Sequence, residues 1–261
     1  MQKALLTGHK GFIGKALKVA LLKLGFVVYE VEGRLEQDSI FKYIPQDDWD
    51  YFFHFGSPSS NILFDRNLED CIKQTVYGFF NICNYCSENH IKLIYPSSGT
   101  VYGDKQTPYS RTKKELEWIK DRFYPNLTAL AYRIFAGYGV GEEHKKDYAS
   151  IVYQWCKQMK KGEQPVIWGD GTQSRDFVYI TDVVEKIVDN MQRHGFYDIG
   201  SGINVSFNDI VKLINRELGT DIKPKYINSP QNYMNQTLCK NPSYVKVSIE
   251  EGIERIIRCL E

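Results

Sequence analysis

The chain has little that would tie it to a nucleic acid or a membrane. Its 33 Lys and Arg are matched by 32 Asp and Glu, for a formal charge of +1, and no long basic run occurs. The electrostatic footprint of a nucleic-acid binder is therefore missing. No apolar run approaches the roughly 20 residues a membrane-spanning helix needs. Met1 leads directly into the apolar stretch Lys3–Thr7 without a charged leader, so a cytoplasmic protein is expected. Cysteine is sparse: six thiols, at positions 71, 83, 86, 156, 239 and 259, are scattered over 261 residues, unlike a disulfide scaffold. Cys83 and Cys86 form a C-x-x-C with no second pair, inside an apolar-periodic stretch, which fits helix packing better than redox or zinc chemistry. The five histidines, at 9, 54, 90, 144 and 194, show no ligand spacing, and no metal is assigned.

What is present is an alternation of strand and helix. Residues 3–7, 26–31, 49–55, 91–95 and 127–134 read as strands. Helical stretches are expected over 12–24, apolar on nearly all sides, over 65–87, and over 109–123, where Leu116, Ile119 and Phe123 are spaced for one buried face. This order predicts an α/β fold, a Rossmann-type doubly wound parallel sheet with helices on both faces. After Ala136 the texture changes, and a smaller C-terminal substrate-binding lobe is expected. Helices after this point are expected over 148–160, 182–192, 207–218 and 248–260. The division expected is residues 1–135 as the dinucleotide domain, with 177–202 returning to it, and 136–176 with 203–261 as the lobe. Ligands in open α/β sheets bind at the carboxyl edge of the strands.

Two short segments carry most of the chemistry: Ser97-Ser98-Gly99-Thr100-Val101-Tyr102-Gly103, then Tyr109-Ser110-Arg111-Thr112-Lys113. Residues four apart on a helix are neighbours, so Lys113 can sit beside Tyr109. A tyrosine titrates near 10 and needs a nearby cation to favour its phenolate at neutral pH. Lys113 supplies that cation, and Ser98 can hydrogen-bond a substrate oxygen near the phenol. The three form a device for moving a proton off an alcohol.

A second constellation, Thr7-Gly8-His9-Lys10-Gly11-Phe12-Ile13-Gly14, follows a strand and opens a helix. Gly8 permits a tight turn, Gly11 lets the backbone approach a pyrophosphate, and Gly14 allows close packing of helix on strand. Glu30 or Glu32, at the end of the second strand, can accept from an adenosine ribose 2'-hydroxyl, which favours NAD. Lys10 and Arg34 are cations that suit a 2'-phosphate, so NADP stays open beside it.

The spacing G-x-x-G-x-x-G resembles the short-chain dehydrogenase/reductase superfamily. A third stretch, Gly169-Asp170-Gly171-Thr172-Gln173-Ser174-Arg175-Asp176-Phe177, together with Arg133 to Gly139 and Tyr197 to Gly202, resembles its extended branch, which works on nucleotide-diphosphate sugars. That branch includes UDP-glucose 4-epimerases, 4,6-dehydratases and 4-keto-sugar reductases. The resemblance implies a cofactor set of Gly8, Lys10, Gly11, Phe12, Ile13, Gly14, Glu32, Arg34, Leu35, Phe55, Gly56 and Ser57, with Tyr109 and Lys113. It implies Ser98, Tyr109 and Lys113 as catalytic residues, and Arg175 as the partner of the nucleotide diphosphate. Ala136 stands where the branch has a substrate-facing asparagine, and Trp168 is placed in the same substrate set beside Ser98 and Arg175.

Dehydratases of this branch carry acids just after the catalytic hydroxyl, where this chain has Gly99 and Thr100. A 4-epimerase is therefore the leading expectation, a 4-keto-sugar reductase the alternative, and a 4,6-dehydratase less favoured. The non-enzyme alternative is a dinucleotide-binding sensor or interaction protein. Between Ser98 and Tyr109 the chain is shorter than in the branch, so a substrate-covering loop is missing. The expected partners are a nucleotide-sugar substrate and a second copy of the chain, with no nucleic acid and no membrane.

Overall fold

The computed structural model describes residues 1–103, 105–230 and 233–260. They fall into two compact units, one of residues 1–101, 106–133 and 184–197, the other of 102–105, 134–183 and 198–261. In chain order the elements run β1 (Lys3–Thr7), α1 (Phe12–Lys23), β2 (Val27–Glu30), β3 (Tyr51–His54), α2 (Asn61–Arg66), α3 (Leu68–Ile72), α4 (Gly78–Glu88), β4 (Lys92–Ser98), α5 (Pro108–Phe123) and β5 (Ala129–Ile134). They continue with β6 (Ala136–Tyr138), α6 (Ile151–Lys160), β7 (Val166–Trp168), β8 (Ser174–Tyr179), α7 (Ile180–Asn190), β9 (Gly195–Ile199), β10 (Asn204–Ser206), α8 (Phe207–Leu218), β11 (Lys225–Ile227), β12 (Gln236–Thr237) and α9 (Ile249–Cys259).

The first unit is built on a six-stranded parallel sheet in the order β2-β1-β3-β4-β5-β9, the Rossmann-type arrangement expected. Ala4, Leu5, Leu6, Phe52, Phe53, Leu93 and Ile94 are fully buried, as parallel strands covered on both faces require. β2 and β3 lie on opposite sides of β1, so successive crossovers leave β1 in opposite directions and open a crevice at the carboxyl ends of β1 and β3. In that register Thr7 stands opposite His54. β3 pairs with β4 only as far as Ile94. Pro96, which has no N–H to give a ladder, lies past that pairing, and Ser97 and Ser98 extend beyond it.

Several helical details differ from the sequence expectation. The stretch over 65–87 is not one helix: Ser60 and Asn67 each accept a backbone N–H and start separate segments, and a π-helical turn over Lys73–Tyr77 precedes α4. α1 buries only Gly14, Leu17 and Leu21, while Val19 and Leu22 are half exposed. On α5 Leu116 and Ile119 are buried, but Phe123, in the last helical position, is 55% exposed and packs edge-on against Trp118. The buried face of α5 takes in Lys113 and Glu117 instead. Cys83 and Cys86 are buried in the core, and burial pushes both thiols up, which makes them inert packing groups.

In the second unit β8 is the organising strand. β10 pairs antiparallel with its Ser174–Asp176 half, β12 lies parallel along Ser174 and Arg175, and β6 runs parallel to Phe177–Tyr179. Helices α6, α8 and α9 pack together, and Val152, Cys156, Ile210, Ile214, Ile253 and Ile256 on them are buried. Gly252 lies under Tyr138, where an added Cβ would overlap the phenolic oxygen.

Candidate active site

The glycine turn occupies the crevice between β1 and β3. Gly8 has φ +72, and a Cβ there would overlap the Phe55 carbonyl; a Cβ on Gly14 would overlap the Gly8 carbonyl. A Cβ on Gly56 would come within 2.8 Å of the Gly8 nitrogen. Three glycines thus let two loops and a helix meet at one point. Thr7 ties the loops together: its hydroxyl lies 2.9 Å from His54 Nδ1 and accepts the Gly56 N–H at 3.1 Å. His54 is buried, and desolvation, with the Lys113 charge adding to it, lowers its pKa to about 3. The ring is therefore neutral, with one nitrogen a donor and the other an acceptor.

Helix α1 starts at Gly11 with no side-chain cap and no acid in its first turn. By contrast α5, α6, α8 and α9 are capped by Thr107, Ser150, Ser206 and Ser248. An uncapped N-terminus behind a glycine turn is what a phosphate needs, and these residues fit a dinucleotide pyrophosphate. Phe12 and Ile13 form the first turn of this helix.

At the end of β2, Glu30 and Glu32 converge on His9, whose Nε2 lies 3.1 and 3.3 Å from their oxygens. Lys10 pairs with Glu32 at 2.7 Å, and Lys18 with Glu30. Arg34 is tied to Glu36 and Asp70, away from this cluster. Leu35 is a core residue whose carbonyl accepts from Asn81 at 2.9 Å, so its side chain serves packing. His9 was not among the expected contacts; its only sequence signal is its place between Gly8 and Gly11.

Ser98, Tyr109, Lys113 and Ser57 are brought together. Ser98 Oγ accepts from the Thr100 N–H at 3.2 Å and hydroxyl at 2.9 Å, and its hydroxyl lies near the Tyr109 phenol. Lys113 Nζ lies 5.9 Å from the Tyr109 ring centroid and donates to Ser57 Oγ and the Pro96 carbonyl, each at 3.2 Å. Burial lowers Lys113 to about 8. Burial also raises the Tyr109 phenol, with the nearby Ser98 hydroxyl pulling the other way. Phe64 packs edge-on against the Tyr109 ring, 5.7 Å between centroids.

One turn beyond Lys113, Glu117 accepts two hydrogen bonds from Arg133, at 2.9 and 2.6 Å, and one from the Ser97 hydroxyl. This network ties α5 to the ends of β4 and β5 beside the cluster. Sequence reasoning missed Ser97 and Glu117, although Glu117 follows Lys113 at helical spacing.

In the second unit Arg175 is held by main-chain carbonyls of Ser174, Met234 and Asn235, at 2.8, 2.8 and 3.3 Å. Its guanidinium lies 5.3 Å from the Phe207 centroid and 5.4 Å from that of Tyr233. Asp176 is spent on the N–H groups of Ser201, Gly202 and Cys239, and Asp170 on Thr172. Trp168 joins the same group, edge-on to Tyr233 at 5.3 Å. Ala136 opens β6 opposite Phe177.

Residues 4–205 match the family model described as "NAD dependent epimerase/dehydratase family". The ADP-L-glycero-D-manno-heptose-6-epimerase of Brachyspira hyodysenteriae is 27% identical over 271 residues, covering 87% of this chain and 84% of that protein. Among solved structures, the UDP-glucose 4-epimerase of Thermotoga maritima with UDP-glucose superposes with a TM-score of 0.91 at 22% identity, covering 98% of each chain. The UDP-glucose 4-epimerase of Thermus thermophilus with NAD gives 0.87 at 18% identity and 99% of each chain. At such identities the structural likenesses speak for the fold, whereas the family model spans most of this sequence. The chain belongs to the NAD dependent epimerase/dehydratase family.

Proposed function

We propose that this protein binds NAD and interconverts nucleotide-diphosphate sugars by hydride transfer at the sugar C4, acting as a 4-epimerase. The observation that carries the reading is the cluster of Ser98, Tyr109 and Lys113 in a chain of this family. The UDP-glucose 4-epimerases that share the fold add support, two of them solved with UDP-glucose or NAD. NAD is favoured over NADP because Glu30 and Glu32 present carboxylates at the end of β2, while Arg34 and Lys10 are already engaged by acids.

In this reading Gly8, Gly11 and Gly14 let the backbone and the α1 N-terminus meet the pyrophosphate, and Glu32 accepts from the adenosine ribose. Gly56 and Ser57 line the cofactor side of the site, with Lys113 donating to the nicotinamide ribose. The bound dinucleotide supplies the carbon that takes up and returns hydride and, when oxidised, a positive charge. Ser98 holds the sugar oxygen, and Tyr109 removes and returns its proton. Arg175, released from the main-chain carbonyls that hold it here, would bring its planar fork to the diphosphate. Gly99 and Thr100 provide no carboxylic acid, and the Thr100 hydroxyl is turned onto Ser98, which disfavours dehydration.

One observation favours a second reading. The phenol of Tyr109 is held protonated by burial, the state that delivers a proton to a ketone oxygen, as a 4-keto-sugar reductase requires. A homodimer is also proposed, supported by the exposed apolar side chains Leu68, Tyr77, Trp118 and Phe123.

The test is a mass-spectrometric screen of UDP-, dTDP-, CDP- and GDP-sugars with each dinucleotide. Epimerisation gives an isomer of unchanged mass and new retention, reduction adds two hydrogens, and dehydration loses water. If no sugar is converted and Tyr109→Phe changes nothing, the enzyme reading fails and a dinucleotide sensor takes its place.

A further inference from the structure

The side chains at the end of β2 have the chemistry and the spacing of a metal ligand set. His9 Nε2 lies 3.1 Å from Glu30 Oε2 and 3.3 Å from Glu32 Oε1, and one ligand atom from each of the three falls within 4.8 Å of the others. Zn(II) binds imidazole and carboxylate at about 2.0–2.2 Å, so neighbouring ligands on a tetrahedral ion stand about 3.4 Å apart. The two separations from His9 match that edge. An ion can enter with small side-chain movements.

A second observation concerns His9 itself. Its side chain is only 8% exposed; Nδ1 makes no hydrogen bond among the described residues, while Nε2 is in contact with both carboxylates. Buried imidazoles are ordinarily satisfied, and this one is aimed at two carboxylates. Both are carboxylates, hard oxygen ligands, Glu30 paired with Lys18 and Glu32 with Lys10. Glu30 uses Oε1 for Lys18 and turns Oε2 to His9, whereas Glu32 shares Oε1 between His9 and Lys10. Lys10 is thus the built-in competitor of an ion. Glu32 is largely exposed, which leaves a path for the ion and room for water to complete its coordination.

We propose that His9, Glu30 and Glu32 form a binding site for a divalent ion of the Zn(II) class. Because Glu32 is also the residue assigned to the adenosine ribose, ion and dinucleotide are rivals. That rivalry rests on the proposed function, while the metal site does not.

The experiment titrates the metal-free full chain with Zn(II) alone by calorimetry. One ion is expected per chain, with His9→Gln, Glu30→Gln and Glu32→Gln each weakening it tenfold or more. Lys10→Gln, a change at an exposed side chain, is expected to tighten it several-fold. Circular dichroism shows whether each variant is folded. Substituting Co(II) reports the ligand type: nitrogen and oxygen ligation leaves out the intense thiolate band that binding at the exposed Cys259 would give. Absence of binding, affinity indifferent to His9→Gln and to Lys10→Gln alike, or a thiolate band overturns the site. In a parallel NADH fluorescence titration, saturating Zn(II) is expected to weaken NADH about tenfold. Unchanged NADH affinity overturns the rivalry. A chain that takes Zn(II) but no NADH overturns the dinucleotide reading and leaves the metal site standing on its own arm.

Discussion

Lys113 Nζ donates to Ser57 Oγ across 3.2 Å, joining helix α5 to the loop that follows β3. The lysine is buried and its pKa has fallen to about 8, so the fold carries an ammonium at a cost in solvation. A site that needs the charge accepts that cost.

The sign of the linkage follows. Between pH 8 and 10.5 the unfolded lysine binds more protons than the folded one, so native stability rises with pH through that window. Lys113→Met is expected to flatten that rise and to stabilise the protein at pH 7 by about 2–3 kcal/mol. The same variant is expected to lose about 10²-fold or more in kcat/KM. Urea unfolding at pH 7 and pH 9.5, beside steady-state kinetics, checks both halves.

Tyr109→Phe removes the proposed proton carrier and leaves the ring packed on Phe64. Turnover is expected to fall by about 10²–10⁴-fold, with the melting temperature and dinucleotide affinity close to the parent's. A fall in affinity of the same size would assign Tyr109 to binding.

Much of this arrangement can be read from residues close in sequence. The glycine turn is local, and its place after an apolar strand and before a helix decides its role. Tyr109 and Lys113 are joined by one helical turn, so their proximity needs only the helix. The association of His9 with Glu30 and Glu32, and of Ser97 and Arg133 with Glu117, depends on strand register that no short window carries. The expected burial of Phe123 failed for a related reason: apolar spacing identifies a helix face but not where its neighbour ends. The break at Asn67 lay in capping chemistry that a long helical pattern hid.

Gly14→Ala tests the close approach of α1 to the turn. The added methyl would overlap the Gly8 carbonyl, and overpacking of this kind costs about 1–3 kcal/mol. The variant is expected to lose that much stability and to bind NADH at least tenfold more weakly. Lys15→Ala, one residue on, is the control expected to do neither.

His54 is expected to set the acid limb of stability. Its pKa is about 3 in the fold against about 6.5 when unfolded, so above pH 6.5 it exacts no penalty. As the pH falls below that, the unfolded state takes up the proton first, and native stability drops by about 1.4 kcal/mol per unit. Between pH 6.5 and pH 5 the parent is expected to lose about 2 kcal/mol more than His54→Phe. Urea midpoints at the two pH values measure the difference.

The sheet is completed by β9, which lies beside β5 but is separated from it by residues 135–194. During synthesis those intervening residues emerge at about 5–20 per second, so β5 waits roughly 3–12 s for its outer neighbour. Throughout that interval the apolar run Ala129-Leu130-Ala131-Tyr132 presents an open edge of the kind that recruits foreign strands. Vectorial synthesis thus gives this chain a period of vulnerability that the finished molecule conceals, and nascent chains halted within 135–194 are the species on which a chaperone that reads unpaired edges has most to hold.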